Sequence, residues 1–178
     1  MNKEKFTFEL LDRYTPDIVV KNSLEQIEKA TKGYVMGNIE KYDGPVHSYP
    51  KTEQVGLVAT LGELKTTTQT VMVDIQEDLG EQDSEQHRFE VFLSVRGLEH
   101  YKYRMMFIEY SAISYPVTIV MDEEMAIIYS GRRKAQFIIG SMKELEEMMD
   151  AIINSDTMIS LIQNLINESL RQESKMSS

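Results

Sequence analysis

The chain contains no cysteine and no tryptophan, and only 4 prolines and 9 glycines among 178 residues. Without a thiol there is no disulfide framework and no cysteine-ligated zinc or iron–sulfur site. So little proline and glycine excludes a collagenous or linker-like chain. No apolar run approaches the roughly 20 residues that cross a bilayer. The opening Met1-Asn2-Lys3-Glu4-Lys5-Phe6 lacks the apolar stretch of a secretory leader, so the expectation is a cytoplasmic protein. Positive charge is also scarce: 19 Lys+Arg stand against 29 Asp+Glu, a formal charge of −10. On average such a surface repels nucleic-acid phosphate and favours encounter with basic partners.

What is present sorts by period. Thr15-Pro16-Asp17 places a capping hydroxyl, a proline at the first helical position and an acid in the first turn. Val20, Leu24 and Ile27 follow at helical spacing and Gly33 supplies a stop, predicting a helix over about 16–32. From Tyr34 to Ile139 the period becomes two. Val55–Leu61, Val71–Ile75, Phe89–Val95 and Tyr101–Phe107 alternate apolar with polar residues, as half-buried strands do. Pro116 sets Tyr115–Met121 at a strand start or an edge. Asp122-Glu123-Glu124 reads as a turn into a strand at Met125–Tyr129, and Gly131-Arg132-Arg133 as a turn into Ala135–Ile139.

The helical period then returns. Ser141-x-x-Glu144 is a capping box, and Leu145, Met148, Met149, Ile152 and Ile153 form an apolar stripe behind it. After Asn154-Ser155-Asp156 a second stripe runs through Met158, Leu161, Ile162, Leu165 and Ile166. The expected fold class is α+β: an N-terminal helix, a mainly antiparallel sheet of six to seven strands, and two C-terminal helices covering one face. Residues 1–178 are expected to form a single domain with a frayed tail over 172–178. The same element order occurs in unrelated helix-grip ligand binders, cystatin-like modules and secretion-chaperone-like folds, so it does not select a function.

Catalytic signatures are sparse. His47, His87 and His100 share no H-x-x-x-H or H-E-x-x-H spacing, and there is neither a nucleophile elbow nor a phosphate-cradling glycine loop. Glu63-Leu64-Lys65 with Asp74 is the nearest approach to a metal-dependent nuclease, yet a strand end tapering into Thr66-Thr67-Thr68 explains the same tripeptide. No cofactor and no metal are expected.

Charge is more telling. Glu77, Asp78, Glu81, Asp83 and Glu85 form an acidic stretch without a basic residue, and Glu146, Glu147 and Asp150 lie outward on the first closing helix. These eight carboxylates are the candidate partner-binding set. Arg132-Arg133-Lys134 is the one compact basic cluster, a candidate patch or an edge guard. Of 12 methionines, Met105-Met106 and Met148-Met149 are adjacent pairs. One member of each is expected to leave the core, towards a cavity or a second protein.

The leading expectation is therefore a non-enzymatic acidic protein-binding module: an inhibitor, immunity or chaperone-like partner of a basic protein, engaged by mimicry of nucleic-acid charge where that protein binds nucleic acid. The alternatives are a small apolar ligand held between sheet and helices, and the Glu63–Lys65–Asp74 nuclease.

Overall fold

The computed structural model describes residues 11–44 and 85–176. Along them run α1 (Pro16–Ala30), β1 (Val35–Lys41), β2 (Gln86–Val95), β3 (Leu98–Ser111), β4 (Val117–Met121), α2 (Glu123–Ser130), β5 (Gln136–Ile139), α3 (Met142–Ile153) and α4 (Asp156–Met176). The strands pair antiparallel in the order β1-β2-β3-β4-β5. The class is α+β, as the change of period implies. Two expectations are corrected. Among the described residues the sheet has five strands rather than six or seven; the runs at Val55–Leu61 and Val71–Ile75 lie outside them. The helices also share the covered face differently, because α1 packs on β1 and against α3 beside the two closing helices.

The third correction is local. Met125–Tyr129 is helix, not strand. Asp122 is no turn residue but an N-cap whose carboxylate accepts the Met125 amide at 2.9 Å. Glu123 and Glu124 fill the first turn, where the helix dipole favours them, and Gly131 closes the helix at φ 68°.

The other helix ends fall where their sequence signals put them, with small shifts, although the Thr15 hydroxyl makes no capping bond at the start of α1. Gly33 stands two residues beyond the α1 C-cap, Thr31, and donates to Glu28 O at 2.9 Å while Lys32 donates to Lys29 O at 3.3 Å. That pair of bonds is a Schellman closure, with Lys32 and Gly33 both at positive φ. At α3 the Ser141 hydroxyl accepts the Glu144 amide, and Glu144 reaches back to the Gly140 amide at 2.7 Å. Ser155 caps α4 through the Met158 amide.

Helix α1 rests directly on β1. A Cβ built on Gly37 would lie 2.5 Å from Leu24 Cβ, so only glycine permits this approach. Val20, Leu24 and Ile27 thereby meet Val35, Val91, Leu93 and Val95 in one core, which Ile108, Ile119, Leu145 and Ile152 continue.

Both methionine pairs are wholly interior, against the expectation that one of each would leave. Met148 and Met149 are buried because α3 is covered on more than one side, by α1, α2 and α4. Met105 and Met106 are buried because β3 bulges between them. Val91 pairs with Met106 but Phe92 pairs with Arg104, leaving Met105 as the extra residue. The bulge reverses which parity faces inward. Tyr103 lies inward before it and Met106, Ile108 and Tyr110 after it, so Phe107 moves to the outer face.

Candidate functional site

The outer face of the sheet shows what its strands do with charge. Cross-strand pairing aligns Glu40, Glu90, Phe107, Val120 and Gln136 in one row. Glu90 is only 5% exposed. Lys102 Nζ lies 2.6 Å from one carboxylate oxygen, and Arg104 Nε bonds the other. Burial pushes the Glu90 carboxyl up, but these two hydrogen bonds and the positive charges behind them outweigh it and hold the group below its ordinary range. The cations also cover apolar surface: Lys102 Nζ stands 3.8 Å above the Phe92 ring and the Arg104 guanidinium 5.0 Å from that of Phe107. Lys102 and Arg104 thus clamp Glu90.

A second charged region gathers at the sheet end where β3 stops and β4 starts. The segment from Leu11 to Ile18 crosses it and is held at three points. Asp12 accepts the Met142 amide at 2.8 Å, at the start of α3. The Tyr115 hydroxyl donates to Tyr14 O at 3.3 Å, and the Tyr110 hydroxyl donates to Asp17 Oδ1 at 2.6 Å.

Burial raises Asp17, but hydrogen bonds from Thr15, Tyr110 and the backbone amides outweigh it and leave the carboxyl lowered. The Thr15 hydroxyl thus serves Asp17 and makes no hydrogen bond to the helix backbone. Tyr110 is raised by its own burial and then by Asp17. Tyr115 is pushed up to about 12, first by burial and then by the charges of Asp12, Glu146 and Asp17. That last shift reflects carboxylates from two distant parts of the chain, Asp12 and Asp17 from the 11–18 segment and Glu146 from α3.

Helix α3 extends this region. Leu145, Met148, Met149, Ile152 and Ile153 are buried, and Glu146, Glu147 and Asp150 are exposed on the opposite side. Lys143 approaches Glu147 at 3.8 Å. Glu146 and Asp150 are like charges four residues apart, an arrangement that costs a helix a few tenths of a kcal/mol and so does not serve its stability. Glu85 is exposed just before Gln86, which pairs with Ser111 beside Tyr110. It therefore belongs to the same sheet end. The other sequence-predicted acids, Glu77, Asp78, Glu81 and Asp83, lie outside the described residues, as do His47, Glu63, Lys65 and Asp74.

The basic cluster occupies the exposed turn between α2 and β5. Arg133 approaches Glu123 at 3.8 Å, and Lys134 Nζ lies 5.5 Å from the Phe137 ring centroid. Lys102 and Arg104 of β3 are committed to Glu90.

Among the described residues no three His, Asp or Glu side chains are placed to hold a metal ion, and no helix is long and apolar enough to cross a membrane. The space between sheet and helices is occupied by Met105, Met106, Met121, Met125, Met148, Met149 and Met158, all buried. A concavity of about 350 Å³ opens at the surface instead, around Lys41, His87 and Arg88.

Sequence reasoning identified the outward acids of α3 but not Asp12 or Asp17. Asp17 reads only as a first-turn acid, and nothing local marks Asp12. Compared with protein-family models, curated proteins and solved structures, the chain matches none.

Proposed function

We propose that this chain is a non-enzymatic, acidic protein-binding module of the cytoplasm, an inhibitor, immunity or chaperone-like partner of a basic protein. Where that partner binds nucleic acid, the carboxylates would stand in for phosphates. The observation that carries the reading is the outward row of Glu146, Glu147 and Asp150 on a helix whose other side is packed into the core. Charges on a docked helix are presented in a fixed arrangement, so less conformational entropy is lost on binding than from a loose acidic tail. The net charge of −10 adds a long-range field that speeds encounter with a basic surface and weakens with salt.

The test compares the wild-type chain with a Glu146→Lys/Glu147→Lys/Asp150→Lys variant as baits in extracts of the native host. These side chains are exposed, so circular dichroism should report an unchanged fold. Basic proteins should be retained by the wild type and lost from the variant, and the purified partner should associate more slowly as salt rises. Identical captured sets, or an association rate indifferent to salt, would remove the proposal.

A further inference from the structure

Exposed large apolar side chains on a small protein are ordinarily scattered. Here four of them lie on the two segments that Tyr110 and Tyr115 tie together at one end of the sheet. Ile113 is 82% exposed and Leu11 69%, and Tyr14 and Ile18 are exposed as well. Leu11, Tyr14 and Ile18 belong to the segment held by Asp12–Met142, Tyr115–Tyr14 and Tyr110–Asp17. Ile113 sits in the turn joining those same two tyrosines, where its carbonyl accepts the Tyr115 amide at 2.9 Å. Ordering a segment costs about 1–2 kcal/mol of backbone entropy per residue. Of the segment's apolar side chains only Pro16 is buried, while Leu11, Tyr14 and Ile18 remain turned to solvent on a braced support.

The charges around the patch indicate its occupant. The negative charges of Asp12, Asp17 and Glu146 are all felt at Tyr115, with Arg13 the one cation of the 11–18 segment. Asp12 is held by the Met142 amide and Asp17 by the Tyr110 and Thr15 hydroxyls and backbone amides, so both carboxylates are fixed in position. A second copy docking here about a two-fold axis would set these acids against themselves. An anionic lipid surface would be repelled.

We propose that this sheet end is the docking surface for a basic amphipathic peptide segment of the partner. Its aliphatic or aromatic side chains seat on Leu11, Tyr14, Ile18 and Ile113, and its Lys and Arg residues face Asp12, Asp17 and Glu146. This rests on the reading of the protein as a binder of basic partners and adds the place and the apolar half of the contact.

The experiment titrates the full chain, by fluorescence anisotropy at low salt, into two labelled synthetic peptides of equal length and charge. One carries Leu among its Lys residues and the other Ser in place of every Leu. The Leu peptide should bind at least about tenfold more tightly, as burial of a few methylene groups implies. A Leu11→Ser/Ile113→Ser variant, folded by circular dichroism, should lose that preference. Glu146→Lys should weaken both peptides, and Ile159→Ser on α4 should alter neither.

Equal binding of the two peptides, or a preference that survives Leu11→Ser/Ile113→Ser, overturns the docking surface and leaves the charge reading intact. Failure of both peptides to bind overturns the basic-partner reading itself. Co-sedimentation with phosphatidylcholine vesicles in preference to either peptide would assign the patch to a lipid surface instead.

Discussion

Strand β2 carries two kinds of burial back to back. Val91, Leu93 and Val95 point inward beneath the helices, while Glu90 and Phe92 point outward and are nonetheless buried. The inner set is buried in one apolar core with Val20, Leu24 and Ile27 of α1 and Leu145 and Ile152 of α3. The outer set is held by Lys102 and Arg104, whose side chains remain 39% and 55% exposed. Inner burial is apolar and non-directional, so it responds to lost volume. Outer burial is held by hydrogen bonds to one carboxylate, so it responds to protonation and, less strongly, to salt. The lesson is that burial alone does not say what a sheet face contributes to stability; the two faces should separate under different perturbations.

The largest separation should come from volume. Leu93→Ala removes a fully buried side chain beneath α1 and should cost about 2–5 kcal/mol in urea unfolding, almost independently of pH and salt. Glu90→Ala should cost less, about 1–3 kcal/mol. Its place lies between a buried pair and an exposed one, because the two cations it releases can turn to water. The sign of its pH dependence follows from the lowered carboxyl. The ion triad stabilises the fold at pH values above the unfolded glutamate's ordinary titration and loses that contribution as pH falls through the depressed folded value. The acid limb of the stability curve should therefore flatten in Glu90→Gln and stay unchanged in Leu93→Ala. If Leu93→Ala and Glu90→Gln shift the acid limb alike, the distinction between the faces fails.

The sheet end supplies an intermediate case, a polar contact at the inner margin. Tyr110→Phe deletes the hydroxyl that serves Asp17 and should cost about 1–2 kcal/mol, since hydrogen bonds to charged groups exceed neutral ones. Asp17 is lowered in the folded state, so its share of stability is present above the unfolded aspartate value and lost as pH falls through the folded one. At the alkaline end the sign reverses. Tyr110 and Tyr115 are raised, as is Tyr103, pushed up to about 12 by burial and then by Asp122 and Glu124. Their contribution is complete below the ordinary tyrosine value of about 10 and is lost as pH rises from there through the folded values. Phenolate absorbance should appear with unfolding rather than ahead of it. Titration of all three on the intact fold near pH 10 would contradict the assignment.

The comparison also explains what the sequence could and could not disclose. Helices α3 and α4 are legible because cap and stripe are both local, and Glu146, Glu147 and Asp150 follow from that stripe as its outward complement. Strand β3 was legible as a strand but not in phase. Tyr101, Tyr103 and Met105 alternate in one register and Met106, Ile108 and Tyr110 in the other, and the adjacent methionines mark the seam. Read as one continuous alternation, the run puts Phe107 inside; read as two, it contains the bulge. Helix α2 was missed because Asp122-Glu123-Glu124 is as good a turn as it is a capped first turn, and eight residues are too few for the period to arbitrate. The gathering of acids at Tyr115 had no local trace. It depends on contacts from Asp17 to Tyr110, Tyr14 to Tyr115 and Asp12 to Met142, separated by 93, 101 and 130 residues.

The smallest effect sharpens the comparison within the outer face itself. Arg88 and Glu109 are cross-strand partners with Nε and Oε2 3.0 Å apart, and their side chains are 30% and 32% exposed. Water competes for this pair in a way it does not for Glu90. A double-mutant cycle with Arg88→Ala and Glu109→Ala should return a coupling of about 0.2–1 kcal/mol, against a larger value for Lys102→Ala with Glu90→Ala. Raising the salt to about 1 M shortens the screening length to about 3 Å and should erase most of the first coupling while leaving a good part of the second. Equal couplings with equal salt dependence would mean that the outer face is a uniformly solvated surface and that the burial of Glu90 confers nothing its neighbours lack.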